Sequence, residues 1–370
     1  MHYKRLLTWI DGSSSYLSVG LDVGADFTWM SIALPNGAFI GKPFKIVHSD
    51  PRSRDLAVTK IKEAQETYSL KSRCFLESTG IYHIPLLCFL RDKGFDCSVI
   101  NPIITKNSTN INIRKLHNDK FDSKKAALVG LNVSLKASII PEDSVVDLRN
   151  LVRDYYYFKD LQSAVALKLT AELKMSFPAY AKVFSKVTTQ SSLKLLSSYP
   201  LAGDMLEASK DDIVETIRST ARFGEAYALR KYDAVIAAAQ DASVFGRALP
   251  SNAVRIRLYI DTYQEYQKHL DALLKALHET VERLQDTLIY DQICLLQSLR
   301  GIGFLSAVVL IAEMGDFKLF PSPKKLYAYF GLDPAVKQSG KLNGDKVHMS
   351  KRGSSLARRV LHMVALNNVK

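Results

Sequence analysis

Three runs of strand-type sequence decide the fold, and they lie in residues 16–48, YLSVGLDVGADFTWMSIALPNGAFIGKPFKIVH. In the first run apolar residues alternate from Leu17 to Val23, the second run covers residues 27–34, and the third ends near Val47. Such alternation is the period of a strand with one buried face. The pair Asn36-Gly37 separates the second run from the third and favours the tight turn of a hairpin. The stretch therefore predicts three consecutive strands.

The sequence after this stretch alternates between helical and strand patterns. Helical periodicity predicts helices at about residues 53–68 and 81–93, and strands are expected to end at Glu77 and Ile100, with more helix to follow. In order, the elements are βββαβαβα. This is the order of an α/β ribonuclease H-like fold. We predict a first domain with this fold in residues 1–142.

The rest of the chain has a mainly helical pattern, and no strand is predicted after Ser144. One apolar stripe has the 4-3-4-4-3-4 spacing of a coiled coil or a long packed helix. Its residues are Tyr266, Leu270, Leu273, Leu277, Val281, Leu284 and Leu288. The stripe either packs within its own domain or joins subunits. Residues 185–198, rich in Ser, Thr and Lys, predict a loop. We predict a helical linker and coiled-coil region in residues 143–290 and a C-terminal domain in residues 291–370.

The composition is that of a folded protein that attracts polyanions. The 370 residues suit two or three domains, and 47% of them are hydrophobic and 24% charged. The net charge is +13, and the stretch from Arg300 to Lys370 holds 12 Lys and Arg residues against four acidic ones. Lys and Arg bind phosphates and release condensed counterions. The sequence has no long basic amphipathic helix and no apolar span of about 18 residues. Nucleic acid is therefore the expected partner, and a membrane is not.

The cysteines and the first residues of the chain bear on the compartment. Cys74, Cys88, Cys97 and Cys294 form no CxxC pair and have no His at zinc spacing, so we expect buried thiols in a reducing environment. The first 15 residues, MHYKRLLTWIDGSSS, lack the apolar run and cleavage site of a signal peptide. The expected location is the cytoplasm, in association with the nucleoid.

Four acidic residues stand where such a fold would bring them together. Asp22 lies on the first strand, on the face opposite its apolar neighbours, and Glu77 ends the fourth strand. The first and fourth strands are neighbours in a sheet of this order, so the two carboxylates are expected to meet at one edge. Asp119 and Asp122 are three residues apart at the start of a helix, so both can point the same way.

Carboxylates held close together repel one another unless a cation neutralises them. Oxygen ligands suit Mg²⁺ or Mn²⁺, and two such ions about 4 Å apart serve phosphodiester chemistry. Each acid also has an interpretation without metal. Asp22 could be a turn residue, Glu77 could cap the following helix, and Asp119 and Asp122 could complement a helix dipole. The joint pattern favours the metal site.

The C-terminal region has two glycine-containing motifs with positive charge nearby. The segment Arg300-Gly301-Ile302-Gly303 resembles a helix-hairpin-helix, in which glycines expose backbone N–H groups to a phosphate. An ordinary turn between two helices is the alternative, because GxG alone is a weak signal. Further along, Ser339 lies in a small turn between Lys337 and Lys341, which suits a serine that attacks a phosphate. The alternative there is a solvated basic loop.

Other basic and aromatic residues are candidates for nucleic-acid contacts. Lys351, Arg352, Arg358 and Arg359 are expected to clamp phosphates and not to read bases. The run Tyr155-Tyr156-Tyr157-Phe158 either stacks on bases or lies in the core, because aromatic residues at helical spacing often pack inside.

Several motifs resemble one known family over nearly the whole chain. They are LDVG at Asp22, FLESTG at Glu77 and NDKFD at Asp119 and Asp122, followed by LRGIGFLSA, YFGLDP, QSGK and MSKRGSSLARR. Together they resemble the insertion-sequence 110 family of transposases, which includes related site-specific invertases. Its first domain is an acid-tetrad domain of the RuvC-like, Holliday-junction-nuclease type. The family usually has Asp-Ala where this chain has Asp122-Ser123.

The resemblance implies a mechanism and partners. In the family the acid tetrad binds divalent metal, and a serine that falls on Ser339 here is the nucleophile. Family members act as oligomers, here expected as a dimer or tetramer, with composite sites that join the acidic domain of one subunit to the serine domain of another. A structured noncoding RNA pairs with donor and target DNA and guides the reaction.

We therefore expect a DNA transposase in which Ser339 attacks a phosphodiester with help from metal held by the four acids. Two other hypotheses remain open. A hydrolytic RuvC-like junction nuclease would use only the acids and water, and a non-catalytic scaffold would bind RNA or DNA with the acids in structural roles.

Overall fold

A computed structural model describes residues 15–77, 82–100, 119–132, 143–220, 224–315, 317–334 and 348–369, and the backbone of residues 338–339 and 342–343. The chain divides into two compact units, residues 1–140 and 141–370.

The first unit is built on a five-stranded mixed sheet. Its strands are β1 (Tyr16–Val23), β2 (Phe27–Ala33), β3 (Phe39–Val47), β4 (Lys71–Glu77) and β5 (Asp96–Ile100). The order across the sheet is β3-β2-β1-β4-β5. β2 is antiparallel to β1 and to β3, whereas β4 is parallel to β1 and to β5. The three consecutive strands and the adjacency of the first and fourth strands, both predicted from sequence, are confirmed.

Helices cover both faces of this sheet, and β1 alternates between them. The helices are α1 (Pro51–Tyr68), α2 (His83–Asp92) and α3 (Asp119–Asn132). Leu17, Val19 and Leu21 of β1 pack into one core with apolar residues of α1 and α2. Residues between them face α3, because Ser18 Oγ donates a hydrogen bond of 2.6 Å to Ala127 O. This two-residue alternation is the normal geometry of a strand.

Gly20 allows α3 to lie directly on β1. A Cβ atom at this position would lie 2.2 Å from Ser123 O and from Ala127 N, both backbone atoms of α3. No side chain fits in that space, so glycine permits the close approach of helix and strand. The same contact places the first turn of α3 near the next inward position on β1, which is Asp22.

The second unit is mainly helical, as predicted. Its helices are α4 (Asp143–Ser176), α5 (Gln190–Ser198), α6 (Ala202–Glu207), α7 (Lys210–Arg218), α8 (Glu225–Phe245), α9 (Pro250–Glu282), α10 (Leu288–Gln297), α11 (Phe304–Met314), α12 (Pro323–Tyr329) and α13 (Ser355–Val369). Two 3₁₀ helices, Pro178–Lys182 and Phe317–Leu319, lie between them.

Two long antiparallel helices, α4 and α9, connect two cores in this unit. Leu169 and Leu173 of α4 join Ile256 and Ile260 of α9 in one core with α5, α7 and α8. At the other ends of the pair, the beginning of α4 and the end of α9 share a second core with α10, α11 and α13. The buried Gln162 lies midway and donates to Gln267 Oε1 at 2.9 Å, so this polar side chain is satisfied inside the helix pair.

The predicted apolar stripe packs inside the subunit. Leu270, Leu277 and Val281 of α9 are buried, with at most 5% of each residue exposed, and Leu284 packs against the same core as Val281. These residues therefore support the interpretation of a helix that packs within its own domain. The second core joins residues 145–152 to residues 307–314 across the predicted boundary at residue 290. The division of residues 143–370 into two domains stays a prediction.

The structure differs from three expectations based on the sequence. Residues 190–198, expected to be a loop, form helix α5, because Leu193, Leu195 and Leu196 are buried and tertiary packing outweighs the low helix propensity of serine. A small hairpin of β6 (Gln338–Ser339) and β7 (Leu342–Asn343) was missed, since two-residue strands leave no pattern. Cys294 is exposed and Cys88 is half-buried, whereas Cys74 and Cys97 are buried as expected.

Within the described ranges, no helix combines the length and the apolar character needed to cross a bilayer.

Candidate functional site

The face of the sheet that carries α3 determines where Asp22 points. Ser18 and Gly20 both contact α3, so the alternation of the strand directs Asp22 to the same face, toward the first turn of the helix. Its flanking residues, Leu21 and Val23, belong to the core on the opposite face. The carboxylate of Asp22 is therefore held by a strand that is fixed on both faces.

Glu77 lies beside Asp22 at the same edge of the sheet. The parallel register pairs Leu21 with Leu76, so Asp22 and Glu77 are the next residues on two neighbouring strands. Phe75 of β4 packs in the core under α3, and alternation directs Glu77 to the same face. The two carboxylates predicted to meet at one edge are thus placed on the same face of adjacent strands.

Asp119 and Asp122 both lie in the first turn of α3, as predicted. The residue after Asp122 anchors this turn. Ser123 Oγ is fully buried, lies 2.8 Å from Ser31 Oγ of β2, and donates to Lys120 O at 3.1 Å. Ser123 therefore links the acidic turn to the sheet.

The electrostatics of Asp22 reflect its three acidic neighbours. Burial is the largest cause of its raised pKa, which is about 7 in place of the ordinary 3.8. The other causes, in order of effect, are the negative charges of Asp122, Asp119 and Glu77, and the charge of Lys125 acts in the opposite direction. The other three acids thus all lie within electrostatic reach of Asp22, and a cation would lower the repulsion that its carboxylate meets.

The four acids do not form a closed cage. Among the described residues, no group of three or more His, Cys, Asp or Glu side chains is close enough together to hold a metal ion. The donor set is nonetheless of the type that hard divalent cations prefer, since all four groups offer carboxylate oxygens. The residues present fit Mg²⁺ or Mn²⁺ by their chemistry and by their shared charge.

Ser339 lies on the small hairpin of the second unit. Its backbone pairs with Leu342, and the serine is the last residue of β6. The structure describes the backbone of Ser339 and not its side chain. Lys337 and Lys341 lie outside the described residues. The hairpin is the element that carries the predicted nucleophile.

The base of this hairpin is held by a compact set of contacts, which we call the hairpin neck, residues 331–334 and 349–353. Pro334 forms a β-bridge with Met349, and Ser350 N donates to Asp333 O at 2.7 Å. The Ser350 hydroxyl also hydrogen-bonds the carboxylate of Asp333. Gly331 has a φ of +67°, and a Cβ there would lie 1.8 Å from Arg352 O, so only glycine fits.

Of the four residues predicted to clamp phosphates, two bind other groups of the protein. Arg358 Nη1 donates to Phe330 O, Arg352 O and Gly353 O at 2.9 to 3.1 Å, which ties α13 to the hairpin neck. Arg359 forms an ion pair with Asp160 at 2.8 Å and lies 5.0 Å from the Tyr156 ring centroid. The side chains of Lys351 and Arg352 are exposed.

The predicted glycine turn connects α10 to α11. Arg300, Gly301 and Gly303 are exposed, and Gly301 has a φ of +83°. Gly303 precedes the first turn of α11 and supplies no side-chain cap, so the N–H groups of that turn are not used by a capping side chain. The ring of Phe304, the first residue of α11, stacks on His278 with centroids 3.8 Å apart.

Sequence reasoning missed the contacts that support these elements. Asp333 and Ser350 are 17 residues apart, and the pair Arg153 and Glu313 is separated by 160 residues. No local spacing signals such pairs. The sequence left open whether the aromatic run at residues 155–158 stacks on bases or packs in the core. In the structure Tyr155, Tyr156 and Phe158 are half-buried, whereas Tyr157 is 61% exposed.

Family models match both ends of the chain. A model for DEDD proteins of the IS110 type, described as a transposase, matches residues 19–178, and one described as the transposase IS116/IS110/IS902 family matches residues 294–370. The y4qE protein of Sinorhizobium fredii, which is named as a transposase, is 30% identical over 121 residues. That alignment covers 31% of the chain, and the chain spans only 31% of the length of this curated relative. The two models together match more than half of the residues, and the chain belongs to the IS110 family of transposases.

Proposed function

We propose that this chain cuts and rejoins DNA, with the acidic end of the first unit and the hairpin of the second unit as the two halves of its catalytic machinery. The observation that carries the proposal is the placement of Asp22, Glu77, Asp119 and Asp122 at one end of the sheet, where burial and the charges of the other three raise the pKa of Asp22. Such a cluster is costly without a cation, and clusters of this kind occur at functional sites.

The four acids would hold Mg²⁺ or Mn²⁺ through their carboxylate oxygens. When bound, such ions lower the pKa of an attacking hydroxyl and stabilise the negative charge on a leaving oxygen. Asp22 and Glu77 are fixed by strands, whereas Asp119 and Asp122 are carried by the first turn of a helix. We infer that Asp119 and Asp122 complete the metal site when the cation is present.

In this proposal Ser339 is the nucleophile. Its hydroxyl oxygen attacks the phosphorus of a phosphodiester, a serine–phosphate ester forms, and the bond from phosphorus to the 3′ oxygen breaks. The proton of the serine hydroxyl passes to the leaving 3′ oxygen, so atoms and charge balance. The reverse reaction with the 3′ hydroxyl of another DNA strand rejoins donor and target and frees the serine.

The partners and the finer architecture belong to the same proposal. DNA is the substrate, a structured noncoding RNA guides it, and a dimer or tetramer supplies composite sites. The first unit would be a ribonuclease H-like domain of the RuvC type, α9 would contribute a coiled-coil-like helix, and α10 with α11 would form a helix-hairpin-helix. Arg300, Gly301, Gly303, Lys351 and Arg352 would contact phosphates. A location in the cytoplasm at the nucleoid follows from the substrate.

The test is the covalent protein–DNA adduct in the full chain, with guide RNA from the DNA that flanks the gene. Ser339→Ala should bind DNA normally and form no adduct, because the nucleophilic oxygen is gone. The exposed Ser251 provides a matched control, and Ser251→Ala should form the adduct as the native chain does.

Other results would favour the rival functions. DNA cleavage that is unchanged in Ser339→Ala would indicate a hydrolytic nuclease and contradict the serine mechanism. A native chain that binds nucleic acid but shows no cleavage, no adduct and no response to Mg²⁺ would indicate a scaffold.

A further inference from the structure

A cleft of about 770 Å³ lies in the second unit and plays no part in the chemistry proposed above. One side is α4 between Arg149 and Asp160, and the opposite side includes Glu313, Tyr329 and the start of α13. Its volume is in the range of pockets that enclose a small ligand. Three arginines and three tyrosines are among the residues that line it.

Two of the arginines are held in position by the wall of the cleft. Arg153 donates from Nε and Nη2 to the two carboxylate oxygens of Glu313, at 2.8 and 3.0 Å. Arg149 Nε donates to Ala312 O at 2.7 Å. A guanidinium has five N–H groups, so each arginine keeps others for a ligand. Because the side chains are already ordered, a ligand that binds them loses less conformational freedom.

The charge of the cleft favours an anion. Three arginines and two acids line it, and because Arg153 is paired with Glu313 and Arg359 with Asp160, the charge of Arg149 gives the cleft a net charge of +1. The first turn of α13 also borders the cleft, where Ser354 Oγ accepts a hydrogen bond of 3.0 Å from Ala357 N. The positive end of a 15-residue helix adds to the attraction for a phosphate.

Tyr157 supplies an aromatic surface at the same place. It is 61% exposed, although large aromatic side chains are usually buried to a greater extent. Its ring lies edge-on to Phe158, with centroids 5.4 Å apart, which restrains its orientation. An ordered and exposed tyrosine beside arginines is the combination that binds unpaired bases and their phosphates.

We propose that this cleft binds an unpaired stretch of nucleic acid, with a phosphate on Arg149 and Arg153 and a base stacked on Tyr157. The inference rests on the proposed function, because it assigns a place to one of its nucleic-acid partners. A base inside a duplex is already stacked on both sides, so the tyrosine selects single strands. The chemistry is shared by RNA and DNA, and the test therefore includes both.

The test measures binding of fluorescent oligouridylate, oligothymidylate and duplex DNA to the full chain by anisotropy. Tyr157→Ala should weaken single-strand binding about tenfold and leave duplex binding unchanged. Tyr157→Phe keeps the stacking ring and should restore the affinity. Tyr327 is a matched control in the same unit, since it is 50% exposed and does not line the cleft, and Tyr327→Ala should bind as the native chain does.

The relative loss with the two oligonucleotides identifies the strand that the cleft prefers, and a loss with either one supports the proposal. Equal affinities of Tyr157→Ala and Tyr327→Ala for both single strands would overturn it. Adduct formation is measured on the same preparations. If the native chain forms the Ser339 adduct while the tyrosine variants bind alike, only the cleft proposal fails. If single-strand binding depends on Tyr157 while the native chain forms no adduct, the catalytic proposal fails and the cleft stands.

Discussion

Asp22 illustrates how much of the candidate site is predictable from single residues. Strand alternation, which depends only on local geometry, predicted its face. The strand order expected of a sheet with these elements predicted Glu77 as its neighbour. The hydroxyl pair of Ser123 and Ser31 was not predictable, since 92 residues separate them and only the packing of α3 brings them together. Sequence likewise gave no signal for the size of the pKa shift, which burial dominates.

The raised pKa of Asp22 predicts that the free energy of unfolding of the metal-free protein falls as this carboxyl group ionises. An acid whose pKa is about 7 when folded and 3.8 otherwise contributes fully to stability below pH 3.8 and loses that contribution as the pH rises to 7. Asp22→Asn should therefore match the native chain near pH 4 and exceed its unfolding free energy by about 1 to 2 kcal/mol at about pH 8, after allowance for solvent screening. Urea unfolding in EDTA measures this difference, and a variant that gains nothing at the higher pH would contradict it.

Gly20 is a second residue whose replacement has a defined consequence. Gly20→Ala would place a methyl group 2.2 Å from the backbone of α3, so the helix and its two acids must move away from the sheet. We expect a loss of about 3 kcal/mol in unfolding free energy, toward the upper end for overpacked sites. Gly203→Ala is the control, because a Cβ there has no atom within 4 Å and it should be neutral or slightly stabilising. Unchanged urea denaturation of Gly20→Ala would refute the close packing.

At the scale of helices and strands, long sequence patterns predicted the elements more reliably than short ones did. The apolar stripe predicted a long packed helix correctly as far as Val281, but α9 ends at Glu282, and Leu284 and Leu288 of the stripe lie beyond it. The stripe also could not reveal whether α4 or a second subunit covers the helix. The β6–β7 hairpin escaped prediction, because strands of two residues are too short to show an alternating pattern. Helix α5 was missed because burial, and not propensity, stabilises it.

The hairpin neck predicts that Ser350 positions the element that carries Ser339. In Ser350→Ala the carboxylate of Asp333 loses the hydroxyl that it binds, and the base of the hairpin loosens. We expect adduct formation to slow at least tenfold while DNA affinity is kept. Ser350→Thr, which retains the hydroxyl, should recover most of the rate. A rate for Ser350→Ala equal to that of the native chain would show that the neck has no positioning role.

At the scale of the whole molecule, the positive charge predicted a polyanionic partner, yet it did not identify which cations are available for one. Arg358 and Arg359 are engaged by backbone carbonyls and by Asp160, whereas Lys351 and Arg352 are exposed. Charge counting treats these four residues alike. Only the fold separates the ones that hold the protein together from the ones that face solvent.

This separation predicts different salt dependences of DNA binding. The affinity of the native chain should fall linearly with salt on logarithmic axes, and the slope should decrease by about one in Lys351→Ala and in Arg352→Ala. Arg358→Ala should instead lower the unfolding temperature, because three carbonyl oxygens lose their donor. Anisotropy titrations at several KCl concentrations and thermal unfolding measure the two effects. A salt slope unaffected by the first two changes would remove these residues from the interface.

The central claim is that Asp22, Glu77, Asp119 and Asp122 gather around a divalent cation, and the most direct measurement is Mn²⁺ binding to the full chain by electron paramagnetic resonance. The native chain should bind Mn²⁺, and Asp22→Asn and Asp122→Asn should each weaken that binding at least tenfold. Glu63→Gln, which changes an exposed acid on α1, should bind Mn²⁺ as the native chain does. Equal Mn²⁺ affinity in all of these chains, or no binding in the native one, would contradict the account.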